Sequence, residues 1–102
     1  MAKLIALYHK PDDPAAFDEY YFSKHIPIAK KMPGLRGYEV NSGPIATPTG
    51  DSQYHMVGLM SFDSMIAIQH ALSSAEGKAA GADLGNFAKA GVDLFVFDTR
   101  DV

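Results

Sequence analysis

The chain contains no cysteine. That removes a disulfide frame, a thiolate nucleophile and any sulfur-ligated zinc or iron–sulfur centre. No basic cluster is larger than Lys30-Lys31, and nine basic residues are set against twelve acidic ones for a net charge of −3. A nucleic acid or an anionic membrane surface is therefore not the expected partner. Apolar runs last only a few residues, too short to cross a bilayer. Lys3 is followed only by Leu4-Ile5-Ala6-Leu7-Tyr8, too short for a signal-peptide core, so a soluble cytoplasmic protein is expected. No G-x-G-x-x-G follows a strand-like run, and there is no P-loop, H-E-x-x-H or haem-attachment motif. No tightly bound cofactor is expected.

What is present is one domain's worth of chain, 102 residues read as a single unit over 1–102. Lys3 to His9 is apolar and aromatic and ends before Pro11, which reads as a strand. Asp13 and Pro14 read as the N-cap and first position of a helix that runs to about Lys31 and stops at Pro33-Gly34. Strands are expected over 35–42 and 53–62, separated by a loop rich in Gly, Pro and Thr. Asp63 is the expected cap of a second helix. Ser73 and Glu76 have capping-box spacing, so a further helical piece starts there and ends near Ala90-Gly91. A last strand spans 92–99. The order βαββαβ is ferredoxin-like: a four-stranded antiparallel sheet, strand order 4-1-3-2, with the helices on one face.

The strands are apolar on both sides. Ile5 and Leu7 oppose Leu4, Ala6 and Tyr8; Val57 and Leu59 oppose Met56, Met60 and Phe62; Leu94 and Val96 oppose Phe95 and Phe97. An antiparallel sheet covered on one face should alternate apolar with polar. The bare face would be a large apolar patch, which a second copy packed sheet-to-sheet would cover. The alternative is a monomer whose patch is diluted by Gly37, Glu39, Asn41 and Ser61.

The first helix carries the main candidate for chemistry. Phe17, Tyr20, Tyr21, Lys24 and Ile28 recur at helical spacing, with His25 at the margin of that face. Pro27 lacks an amide hydrogen, so it should kink the helix or free the carbonyl of Ser23. His25 is the candidate general acid/base, because imidazole titrates near neutral pH. Its alternative role is to satisfy that freed carbonyl. Tyr21 lies one turn earlier. Tyr8 reaches the site only if its side of strand 1 faces the helices, a choice the pattern leaves open. Tyr8, Tyr21, Met60 and Phe62 are the candidate substrate-binding side chains, against a role in core packing alone. Of the four histidines only His9 and His55 come close enough to pair, so no metal site is expected.

Several ordered segments resemble the EthD-like family, named for ethyl tert-butyl ether degradation. They are Leu7-Tyr8, Asp12-Asp13-Pro14-x-x-Phe17, Tyr20-Tyr21, His25-Ile26-Pro27-Ile28-Ala29-Lys30 and Pro33-Gly34-Leu35-Arg36-x-Tyr38. Ser74 to Lys78 and Asn86-Phe87-Ala88 extend the set. The resemblance implies a homodimeric α/β barrel and a site between helices and sheet in each subunit. It also implies small-molecule catabolism of an oxidoreductase, cofactor-free monooxygenase or cyclase type. The expected ligand is a small hydrophobic oxygenated compound. The alternative is a non-catalytic pocket protein that carries such a compound or supports a partner oxygenase.

Overall fold

The computed structural model describes residues 1–102. The chain is an α+β fold of ferredoxin-like form. Its elements are β1 (Ala2–His9), α1 (Pro14–Tyr20), a π-helical turn (Tyr21–His25), α2 (Ile26–Ala29) and β2 (Gly37–Val40). There follow a small hairpin of β3 (Ala46–Thr47) and β4 (Gly50–Asp51), then β5 (Tyr54–Phe62), α3 (Met65–Ser73), α4 (Ala75–Phe87) and β6 (Val92–Asp98). The main sheet is antiparallel in the order β2-β5-β1-β6.

Helix starts follow local chemistry, with two corrections. Asp13 caps α1 by accepting from the Ala16 amide at 3.1 Å, and Pro14 sits at the first position. The cap of α3 is Ser64, not Asp63; Ser64 Oγ accepts from the Ala67 amide at 3.0 Å. Asp63 instead takes a two-pronged pair from exposed Arg36, at 3.2 and 3.0 Å. Likewise α4 is capped by Ser74, which accepts from Gly77 at 3.0 Å, so the expected Ser73–Glu76 box does not form. The extended backbone at Ser74 lets α3 end and α4 begin on one residue.

All the helices pack on one face of the sheet, and the burial of β1 alternates strictly. Ala2, Leu4, Ala6 and Tyr8 face the helices, and Met56, Met60 and Phe62 join them from β5. One cluster forms around Leu4, Met60, Phe62 and Ile68, the other around Tyr8, Phe17, Tyr21 and Phe87. On the opposite face the register places Glu39, Leu59, Ile5 and Phe95 in one row across four strands. Leu59, Phe95 and Phe97 on that face are 37–53 % exposed.

The corner between α3 and α4 depends on Gly77. A Cβ there would lie 2.0 Å from the carbonyl oxygen of Ala71, a backbone atom that cannot rotate away. Gly77→Ala is expected to destabilise the protein by about 1–3 kcal/mol or more in urea unfolding, as overpacking does. An unchanged midpoint would show that the corner opens freely.

Candidate functional site

Pro27 cannot donate to Ser23, and the helix resolves this one turn earlier. The Ile26 amide reaches past the usual partner to the carbonyl of Tyr21, which makes the Tyr21–His25 turn π-helical. In a regular α-helix, residues four apart drift by about 40° around the axis at 3.6 residues per turn. The wider turn cancels part of that drift. Phe17, Tyr21, His25 and Ala29 therefore share one buried line, while Lys24 is exposed. His25 lies in the middle of the packed face, not at its margin.

His25 is 5 % exposed, and its Nδ1 lies 2.9 Å from Oδ2 of Asp83 on α4, itself 5 % exposed. The Ser23 carbonyl is not the partner of the imidazole. Asp83 Oδ1 accepts from Tyr20 Oη at 2.6 Å and from Asn86 Nδ2 at 2.9 Å. Burial alone would raise the Asp83 carboxyl, but these three hydrogen bonds outweigh it and hold the group below the ordinary carboxylate value. Burial likewise pushes His25 below the ordinary histidine value against the pull of Asp83. The pair is therefore a neutral imidazole on an ionised carboxylate. An ionised carboxylate only accepts, so Nδ1 carries the hydrogen and Nε2 holds the free lone pair.

Nε2 makes no protein hydrogen bond, and no sealed side-chain nitrogen or oxygen is without a partner. Nε2 has an opening, and His25 lines an apolar cleft of about 260 Å³ between α4 and the sheet. Leu4, Ala6 and Tyr8 of β1, Met60 of β5, and Leu94 and Val96 of β6 form the floor. Gly77, Ala80, Gly81 and Leu84 of α4 form the roof, and Ala29, Met32 and Leu72 the sides. The cleft exists because α4 packs on the first helical run and on α3 and stands off the strands. The same gap leaves Leu94 52 % exposed although it faces the helices.

Among the sequence candidates, the structure brings His25, Tyr8 and Met60 together in this cleft. Tyr21 and Phe62 lie behind it, fully buried. The Tyr21 hydroxyl is 2.5 Å from that of Tyr38, and it sits over Gly58, where a Cβ would come within 3.1 Å of it. Burial raises both Tyr8 and Tyr21 far above the ordinary tyrosine value, so both stay protonated. Phe87, whose ring centre is 4.6 Å from that of His25, closes the back of the imidazole. Sequence reasoning missed Asp83, Asn86 and the polar role of Tyr20. The available signal was a carboxylate on the same stripe of α4 as Ala80 and Phe87.

His9 and His55 do not pair. The β1–β5 register jumps from Tyr8 opposite Met56 to His9 opposite Tyr54, which leaves His55 as a bulge residue. His55 meets Asp18 at 2.8 Å, while His9 meets Asp93 at 3.1 Å. No three His, Cys, Asp or Glu side chains converge on one point.

With this geometry in view, comparison with known proteins is decisive at the family level. The EthD domain model matches residues 9–91. The chain belongs to the EthD family. An EthD-family crystal structure from Bacillus halodurans superposes with a TM-score of 0.89 at 39 % identity, covering 98 % of this chain and 99 % of that one. An uncharacterised protein from the thcB–thcC intergenic region of Rhodococcus erythropolis is 34 % identical over 100 % of this chain and 98 % of its own length. At the level of fold alone, SnoaB of Streptomyces nogalater, described as a cofactor-independent oxygenase, gives a TM-score of 0.69 at 14 % identity, covering 99 % and 94 % of the two chains. A Bacteroides fragilis protein described as dimeric and ferredoxin-like gives 0.65 at 17 %, covering 96 % and 95 %. No helix of this EthD protein is long and apolar enough to cross a membrane.

The charge state of His25 has a measurable consequence. Its folded value lies below 6.5, so between the two values the unfolded chain holds a proton that the folded chain has shed. Stability should therefore fall as pH drops below about 6.5, by at most about 1.4 kcal/mol per pH unit for this one group. The Asp83 share appears only below its ordinary value of 3.8. In urea titrations across pH 7 to 5, His25→Gln should lose less stability than wild type. Parallel curves would place the cause elsewhere.

Proposed function

We propose that this EthD protein acts on a small, neutral, hydrophobic oxygenated compound bound in the α4–sheet cleft, with His25 as the acid/base group. The carrying observation is the free Nε2 of a carboxylate-oriented, neutral imidazole at the edge of an otherwise apolar space. With a ketone in the cleft, Nε2 takes an α-hydrogen as a proton, and the C–H electron pair moves into the carbonyl to give an enolate. The new imidazolium keeps its Nδ1–H on Asp83, whose charge offsets it. Return of the proton restores the starting state. Tyr8 and Met60 define where the compound lies, and Tyr21 and Phe62 back that wall. Proton transfer of this kind uses only the imidazole and its carboxylate. By itself it is redox-neutral and suits a cyclase type of reaction; an oxidoreductase or monooxygenase type would need a diffusing oxidant as co-substrate to react with the enolate.

A second reading, that the cleft only holds such a compound or supplies it to a partner oxygenase, is favoured by one observation. Tyr8 and His25 alone bring polar side-chain atoms to the cleft. Exchange of the α-hydrogens of β-tetralone in D2O, followed by proton NMR, separates the two. Acid/base catalysis predicts exchange well above buffer, cut by roughly two to four orders of magnitude in His25→Ala with ketone binding retained. Binding with exchange no faster than buffer would establish the carrier reading. Absence of binding would remove both.

We also propose a homodimer through the outer sheet face. Support comes from the row Leu59–Ile5–Phe95 flanked by Leu7, Val57 and Phe97, an apolar surface that monomers rarely leave bare. Sedimentation should give twice the chain mass of 11.0 kDa, and Leu59→Glu combined with Phe95→Glu should give the single-chain mass. A stable wild-type monomer would reject this arrangement.

A further inference from the structure

Gly81 sits in the interior of α4, with a φ outside the left-handed region. Glycine at such a position destabilises a helix relative to alanine. Close packing does not require it either, because a Cβ at Gly81 meets nothing within 4 Å. This contrasts with Gly77 one turn earlier, where a Cβ strikes Ala71. What Gly81 does have is a position: it is exposed and lines the cleft roof opposite Leu94 and Val96. It leaves one exposed position of the cleft lining without a side chain.

The lining also restricts charge. No Lys, Arg, Asp or Glu side chain borders the cleft. A carboxylate or phosphate entering it would lose hydration with no counter-charge in the lining, which disfavours anions. Size can be set against a known scale: an apolar cavity of about 150 Å³ binds benzene, and this cleft is about 260 Å³.

We infer that Gly81 is the size-determining residue of the cleft, kept side-chain-free so that a neutral compound of two-ring bulk can enter with its acidic hydrogen toward His25. This rests on the reading of the cleft as the ligand site. It adds which residue limits the ligand and that the ligand is uncharged.

The test uses the intact protein and fluorescence or calorimetric titration with 2-naphthol, phenol and 2-naphthoate. Wild type should bind 2-naphthol and not 2-naphthoate at neutral pH. Gly81→Leu should weaken 2-naphthol by roughly tenfold to two-hundredfold, the range for a misfit in an apolar pocket, while phenol changes by less than about threefold. Gly85 is the control, since it lies in the same helix with nothing within 4 Å of its Cβ position and does not border the cleft. Gly85→Leu should leave every affinity unchanged, and Gly81→Ala and Gly85→Ala should both raise the unfolding midpoint. Equal 2-naphthol affinity in wild type and Gly81→Leu would overturn the role of Gly81 while leaving the cleft as the site. Tight 2-naphthoate binding would overturn the charge restriction. A wild type that binds neither naphthyl compound would remove the cleft reading and this inference with it.

Discussion

Pro27 brings no amide hydrogen to a helix that must continue past it, and the site depends on how the chain absorbs that loss. The widened turn changes the phase, so the aromatic line that begins at Phe17 still faces inward at His25 and Ala29. Such π-helical turns occur often at functional sites. Here the turn sets one imidazole against α4 at the height of Asp83.

A buried carboxylate is costly unless its lone pairs are used. Asp83 has three donors on two oxygens, two from the first helical run and one from its own helix. The bonds from Tyr20 and His25 pin α4 to that run, and the pinning holds α4 off the strands. Site electrostatics and cleft volume thus share one cause. The hydrogen bonds that orient His25 also help keep open the space it faces.

Much of the scaffold was legible in the sequence because its signals are local. Asp13-Pro14, Pro33-Gly34 and the apolar runs of β1, β5 and β6 each fix an element boundary through short-range chemistry. Adjacent serines blurred the caps: Ser64 and Ser74 took roles that Asp63 and Ser73 could equally have filled. The side of β1 that meets the helices was not legible, since Ile5 and Leu7 are as apolar as Leu4 and Ala6. His25 stood out through its place beside Pro27. Asp83 did not, because its partner lies 58 positions away in the chain and only the packing of α4 brings them together. Likewise, nothing local distinguishes Tyr8, which reaches the cleft, from Tyr21, whose hydroxyl is turned aside to Tyr38.

The proposed chemistry requires a neutral His25 held by Asp83, with its free nitrogen toward the cleft. Nitrogen-15 NMR of ring-labelled histidine reads this directly. One imidazole should at pH 7 be uncharged, protonated at Nδ1 and bare at Nε2, and its titration should move upward in Asp83→Asn only if burial is relieved as well. A His25 ring that is cationic at pH 7, or that carries its hydrogen on Nε2, would contradict it.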